Sequence, residues 1–147
     1  MTEQLLKKGE DHIGVTIVYY CHDGKGNVLM AQRSVNSRDE HDSWDIGAGA
    51  MEFGERVEDV LKREIMEEYL TDVLDFEFLG FRDVHRVHRD RPTHWIALDF
   101  KVLVDPAKVG NGEPHKHRAV QWFPKNDFPE NMHSQWPYFF EKYKERL

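Results

Sequence analysis

The sequence predicts an α/β fold built on a mixed sheet, and three observations carry this. A run rich in β-branched and aromatic residues occupies His12–Cys21. A near period-2 apolar pattern (Trp95, Ile96, Leu98, Phe100, Val102, Val104) occupies Thr93–Val104. Between them stands an i, i+4 apolar ladder of Val57, Leu61, Ile65 and Tyr69. The first two patterns belong to strands and the third to a helix with one buried face. Strand and helix signals interleave without a regular βαβ cadence, so the sheet is expected to mix parallel and antiparallel pairs.

Taken in order, His12–Cys21 (Val15, Thr16, Ile17, Val18, Tyr19, Tyr20) reads as a buried strand. His22–Asn27, with glycines at 24 and 26, supplies a hairpin turn, and Val28–Gln32 is its partner strand. Ser34–Ser43 is polar and aperiodic, an exposed loop. Trp44–Ile46 is a short strand running into Gly47, Ala48 and Gly49, and the helix spans Val57–Leu70. Asp75–Arg82 is a strand of imperfect alternation, and Thr93–Val104 is the clearest strand of all. Asp105–Lys116 is a loop, and Val120–Phe123 a last short strand stopped by Pro124. Ser134–Arg146 is a terminal amphipathic helix bearing Trp136, Phe139, Phe140 and Tyr143. Trp122, Phe123 and Trp136 are assigned to the core. With no repeats, linkers or low-complexity tracts, residues 1–147 read as one domain.

Composition narrows the function classes. With 39% hydrophobic and 32% charged residues, the chain has the balance of a folded globular protein. A net charge of −7 disfavours a nucleic-acid polymer as partner, which would require a basic footprint. It is compatible with a small nucleotide, because a bound cation reverses the local sign of an acidic site. The single cysteine, Cys21, excludes an intramolecular disulfide and fits a reducing compartment. The leader Met1–Glu10 is polar and lacks the apolar core of a signal peptide, and the apolar run Ile13–Cys21 is too short to span a bilayer. A cytoplasmic location without a membrane partner is expected; a homodimer is left open.

The most informative segment runs from Gly49 through Glu55, across seven residues, to Arg63-Glu64-Ile65-Met66-Glu67-Glu68. Glu64, Glu67 and Glu68 fall within about one helical turn, on one face. Like charges so placed cost roughly 0.2–0.5 kcal/mol per pair, which a helix without use for them would relieve with interspersed lysines. Hard divalent cations take oxygen ligands, and Mg2+ in particular is held by one or two carboxylates together with substrate phosphates. The spacing therefore points to a metal site. Arg63, eight residues after Glu55 and four before Glu67, is placed to clamp a phosphate or to bridge both acids as a planar fork.

This array resembles the Nudix box: Gly49, Glu55, Arg63, Glu64, Ile65, Glu67 and Glu68 all match in register. Leu70 and Thr71 stand where the box has glycine and an apolar residue, and Gly47-Ala48-Gly49 replaces the frequent Pro-Gly-Gly. The resemblance implies the Nudix α/β/α sandwich with a mixed β-sheet and a Mg2+-dependent hydrolase, with Mn2+ as the alternative ion. It implies Glu64 and Glu68 as core metal ligands, Glu67 joining them when several ions bind, and the backbone carbonyl of Ala48 completing the shell. Arg63 paired with Glu55 would orient helix and loop. The general base would be a nearby carboxylate: Glu67, Glu64 or the loop acid Glu113. Without a glycine at 70, the helix is expected to run a residue or two further toward Asp72.

The implied chemistry is cleavage of a pyrophosphate bond in a nucleoside diphosphate derivative. Met51–Glu55 and the stretch from Glu113 to Pro124 look like those of members acting on (deoxy)nucleoside triphosphates. ADP-ribose or nucleotide-sugar pyrophosphatases are the second reading. Isopentenyl diphosphate isomerases resemble the chain less, because Cys21 lacks the context of their catalytic cysteine. A non-catalytic nucleotide-binding module of this family is the reading from another class, and retention of all four box carboxylates argues against it. The run His85–Arg91, with His94, His115 and His117 beyond it, matches no compact zinc signature. It is read as a solvated basic hairpin whose histidines diverge. Within it, Arg86, His88, Arg89 and Arg91 are the concentrated cations nearest a cleft strand.

Overall fold

A computed structural model describes residues 5–147, so Met1–Gln4 of the polar leader lie outside the described residues. The apolar run after the leader forms β1 (Gly14–His22), and it is the hub of the sheet. It runs parallel to β6 (Arg91–Val104), with Gly14 opposite Trp95 and His22 opposite Leu103. On its other side it pairs antiparallel with β4 (Gly47–Ala50) over Thr16–Tyr19, and with β2 (Asn27–Arg33) at His22 and Val28. β2 in turn pairs with β3 (Trp44–Asp45) and with β7 (His117–Pro124). β5 (Val73–His88) pairs antiparallel with β6 along nearly its whole length.

A strand covered on both faces reads as a continuous apolar run rather than an alternating one, and β1 is that case. Ile17, Tyr19 and Cys21 pack toward α1 (Val57–Tyr69) with Val60, Leu61, Ile65 and Tyr69. Val18 and Tyr20 pack the other way, toward α2 (Trp136–Tyr143), with Trp136, Phe139 and Tyr143. The architecture is the expected three-layer α/β/α sandwich on a mixed sheet. Cys21 is free and buried in the α1-side core. Trp136 is a core residue as expected, while Trp122 and Phe123 are partly buried against the two cores.

Two expectations are corrected. The strand expected at Asp75–Arg82 runs on to His88, so the basic run is the end of a long hairpin. Arg89 and Asp90 form its tight turn, both with positive φ (51° and 62°). The helix also does not run past Leu70. Leu70 itself takes the left-handed conformation (φ 57°, ψ 25°) and donates its amide to the Met66 carbonyl at 3.0 Å. The next carbonyls are capped from a distance: Gly110 N–H donates to Tyr69 O and Gly112 N–H to Glu68 O, both at 2.9 Å. A Cβ on Gly112 would lie 1.9 Å from the Glu67 carbonyl, so only glycine lets this loop close on the helix end.

A left-handed leucine costs roughly 1–2 kcal/mol, and glycine gives back about 0.5–1 kcal/mol in unfolded-state entropy. Leu70→Gly is accordingly expected to raise stability by roughly 0.5–1 kcal/mol, read by urea denaturation. A lower midpoint would show that the half-exposed Leu70 side chain contributes more than its backbone strain removes.

Candidate active site

Helix α1 presents its acids where it crosses β4. A Cβ at Gly49 would fall 2.1 Å from the Glu64 carboxyl carbon, so Glu64 lies directly on the bare backbone of this strand. The Gly49 carbonyl accepts a hydrogen bond from Thr16 Oγ1 at 3.3 Å, which ties β4 to β1 at that point. Two residues earlier, a Cβ at Gly47 would sit 1.7 Å from the Tyr19 ring. The two glycines are thus required by what crosses them rather than by loop conformation. Ala48, between them, is exposed and opposite Val18.

Arg63 organises the helix start. Its Nε and Nη2 donate to the two Glu55 oxygens at 3.0 and 2.9 Å, and its Nη1 donates to Glu64 Oε1 at 2.9 Å. Glu67 Oε2 lies 3.5 Å from the same Nη1. Glu55 also accepts from the Glu52 amide at 2.9 Å. The Arg63 guanidinium and the Glu52 amide hold the Glu55 carboxyl below its usual pKa, and these acids raise that of Arg63. The expected bridge to Glu55 and Glu67 is present, and it engages Glu64 as well.

The remaining carboxylates are set differently. Glu68 is buried, and burial pushes its pKa well up; the charges of Glu64, Glu113 and Asp45 add to this, while a contact with Tyr19 opposes it. Glu64 is raised by burial and by Glu67 and Glu113, against the pull of Arg63. Glu67 is exposed. The hydroxyls of Tyr19 and Tyr69 are buried near Glu68 without a hydrogen bond of good geometry among the described residues. Glu113 reaches this region because the loop that caps α1 carries it there. Its amide donates to Asn111 Oδ1 at 3.1 Å, and its carboxylate pairs with Lys116 at 3.2 Å.

The donor set is all oxygen, suits a hard dication, and includes two acids that burial and like charge make costly to ionise alone. The fit to Mg2+ is chemical. In position the acids stand apart: the described groups with three ligating atoms within 4.8 Å of one another lie elsewhere, at Asp83, His85 and His94 and at Asp39, Glu40 and His133. Glu64 and Glu67 are instead drawn to Arg63.

On the opposite side of β4 lies a cavity of about 320 Å3. Strand alternation makes β4 the partition: positions 47 and 49 face α1, while Ala48 and Ala50 face the cavity beside Thr16 and Val18. Trp136 and Phe139 contribute apolar wall, and Arg33, Arg38 and Arg86 bring positive charge. Of the cations expected near the cleft, Arg86 and His88 line this cavity. Arg91 does not: it pairs with Asp11 and Glu10 at 3.2 and 3.5 Å, and Arg89 sits in the hairpin turn.

Asp45 was missed by sequence reasoning. It sits in the cavity wall, where burial pushes its carboxyl up to about 7 against the attraction of Arg33. Only its place directly after Trp44, at the entry to the glycine strand, marked it beforehand. His85 and His94 were expected to diverge, yet they meet across the hairpin.

The chain matches the NUDIX domain family over residues 11–143. Among solved structures it is similar to a MutT NUDIX hydrolase from Burkholderia pseudomallei, with a TM-score of 0.77 and 22% identity over 89% of this chain and 98% of that one. It is also similar to a MutT protein from Methanosarcina mazei Go1 (TM-score 0.73, 23% identity, 90% and 94% covered). A third is the NUDIX domain of Shewanella oneidensis NrtR, solved with ADP ribose (TM-score 0.65, 18% identity, 92% and 89% covered). The chain belongs to the NUDIX family. It is a NUDIX hydrolase, and the chemistry of that class is hydrolysis of a pyrophosphate linkage in a nucleotide derivative.

Gly49→Ala forces Glu64 off the strand, and a displacement near 1 Å can cost on the order of 10²-fold in rate. A loss of about that size in kcat, with little change in melting temperature, is expected from steady-state assay of this variant. For Asp45, the native carboxyl holds a proton that the unfolded chain releases near its ordinary value of 3.8. Its contribution to stability is therefore complete below that value and is lost as pH rises toward about 7. Compared with Asp45→Asn, the unmutated protein should lose stability across this window in denaturant titrations at successive pH values; parallel curves would refute the raised pKa.

Proposed function

We propose that this NUDIX hydrolase cleaves (deoxy)nucleoside triphosphates to the monophosphate and pyrophosphate, using Glu64, Glu67, Glu68 and the Ala48 carbonyl to hold Mg2+, or Mn2+ in its place. The observation that carries the reading is the pair of acids with raised pKa values, Glu68 buried and Glu64 half-buried, on one side of a strand whose other side walls a cavity of about 320 Å3. That volume lies at the low end of small-molecule sites and suits one nucleoside end, leaving the phosphates to the carboxylate side. ADP-ribose carries sugar at both ends of its pyrophosphate, and the cavity offers room for one of them.

When bound, the metal neutralises phosphate charge and lowers the pKa of water. The chain itself supplies orientation and a proton acceptor. The Arg63 fork on Glu55 fixes α1 against the loop that precedes it, and the Arg63 bond to Glu64 sets that side chain over Gly49. Water attacks the α-phosphorus in line, the bond from the α-phosphorus to the bridging oxygen breaks, and pyrophosphate departs carrying that oxygen. The proton of the attacking water passes to a carboxylate. Glu67 is exposed and only loosely held by Arg63, and it supplies that acceptor in this reading; Glu113 is the second acid within the same electrostatic neighbourhood.

The test has two parts. Millimolar Mg2+ should raise the melting temperature of the unmutated protein, by the equivalent of roughly 2.7 kcal/mol at a hundred-fold excess over Kd, and Glu68→Gln should abolish most of that rise. Chromatography of products from nucleoside triphosphates, ADP-ribose and a nucleotide sugar then assigns the substrate. Monophosphate with pyrophosphate is the expected outcome. Faster conversion of ADP-ribose to AMP and ribose 5-phosphate would overturn the triphosphate assignment and leave the metal site standing.

A further inference from the structure

The β5–β6 hairpin turns two faces to two environments. One face carries Arg82, Val84, Arg86 and Trp95 into the cavity. Strand alternation puts Asp83 and His85 of β5 on the other face, together with His94 of β6. His85 and His94 are direct cross-strand partners with ring centroids 4.1 Å apart. Asp83 Oδ1 lies 3.1 Å from His94 Nε2. One ligating atom from each of the three falls within 4.8 Å of the other two. Asp83 and His85 are exposed and His94 is half-buried, so an ion reaches them from solvent.

A comparison within the molecule shows why this cluster differs from an ordinary polar network. The other group of close ligating atoms, Asp39, Glu40 and His133, is already committed. Glu40 takes Arg86, His133 and the Ser134 amide at 2.7 Å each and the Ser134 hydroxyl at 2.9 Å, and Asp39 takes Arg33 at 3.1 Å. At the hairpin, no lysine or arginine among the described residues pairs with Asp83; its side-chain partner is His94. Two imidazoles and a carboxylate with an open solvent side match the three-ligand pattern of zinc sites that keep a fourth position free. Zn–N distances of about 2.0–2.1 Å require the donors to draw closer than 4.8 Å; Asp83 and His94 already lie at 3.1 Å, and His85, which would have to move, is exposed. Imidazole also separates this group from the all-oxygen cluster on α1, since nitrogen ligands suit zinc, nickel and copper, and oxygen ligands suit magnesium.

We propose that Asp83, His85 and His94 form a second metal site, for a dication of the zinc class, on the outer face of the β5–β6 hairpin. An ion there clamps the two strands opposite the stretch whose other face presents Arg86 and Trp95 to the cavity.

The experiment uses the full chain without an affinity tag, with millimolar Mg2+ present to fill the carboxylate site. Zn2+ is titrated while imidazole 15N–1H NMR signals are recorded. The expected result is that the ring signals of His85 and His94 move with one equivalent of Zn2+. His85→Ala and His94→Ala should each weaken Zn2+ affinity by at least the roughly 10–100-fold that losing an outer-shell partner costs, with unchanged circular dichroism. Glu68→Gln, which removes an α1 acid, should leave the hairpin titration as it was. Unmoved His85 and His94 signals would overturn the proposal. So would unaltered Zn2+ affinity in the doubly substituted His85→Ala, His94→Ala protein, or loss of the hairpin response in Glu68→Gln.

Discussion

The contact on which the site depends is the approach of the Glu64 side chain to the backbone of β4 at Gly49, at a distance that no Cβ would permit. It sets how closely α1 lies against the sheet, and so where Glu68, one turn on, meets Tyr19 of β1. Gly47 repeats the device against the Tyr19 ring. A two-residue period in the strand and a 3.6-residue period in the helix then distribute everything else. Glycines and acids fall on one side of β4, and Ala48 and Ala50 on the other.

Charge in this region is arranged by inequality. Arg63 gives two donors to Glu55 and a third to Glu64, so the acid at the loop is stabilised in its charged form. Among the described residues Glu68 pairs with no arginine or lysine, and burial pushes it toward neutrality. A helix whose acids were all paired would have little reason to take up a cation, and one with all unpaired would be costly to fold. The far end of α1 adds a further acid. Because the loop around Gly110–Gly112 caps the helix, Glu113 is delivered to the same electrostatic neighbourhood, some fifty residues from Glu64 in sequence.

The same alternation shapes the hairpin. Arg82, Val84 and Arg86 face the cavity and Asp83 and His85 face outward, so a single strand serves two surfaces. Arg82 shows how firmly the inner face is anchored: it donates to both oxygens of the buried Asp99 at 2.7 and 2.9 Å, and Tyr143 of α2 donates to Asp99 at 2.7 Å. This network joins β5, β6 and α2 beneath the cavity.

Much of this was legible in the chain itself. The apolar run of β1, the alternation of β6 and the ladder of α1 each declare themselves through local period, and the Gly49–Glu68 spacing marked the acids and their arginine. Short-range patterns survive folding because burial acts on every residue of an element alike. What the chain could not declare depends on pairing between distant segments. Leu70 ends the helix because Gly110 and Gly112 reach it from another loop. Asp45 acquires a raised pKa only when distant segments of the chain bury it in the cavity wall. His85 and His94, nine residues apart, become neighbours through strand register. Register is set by the whole sheet, and no window of sequence contains it.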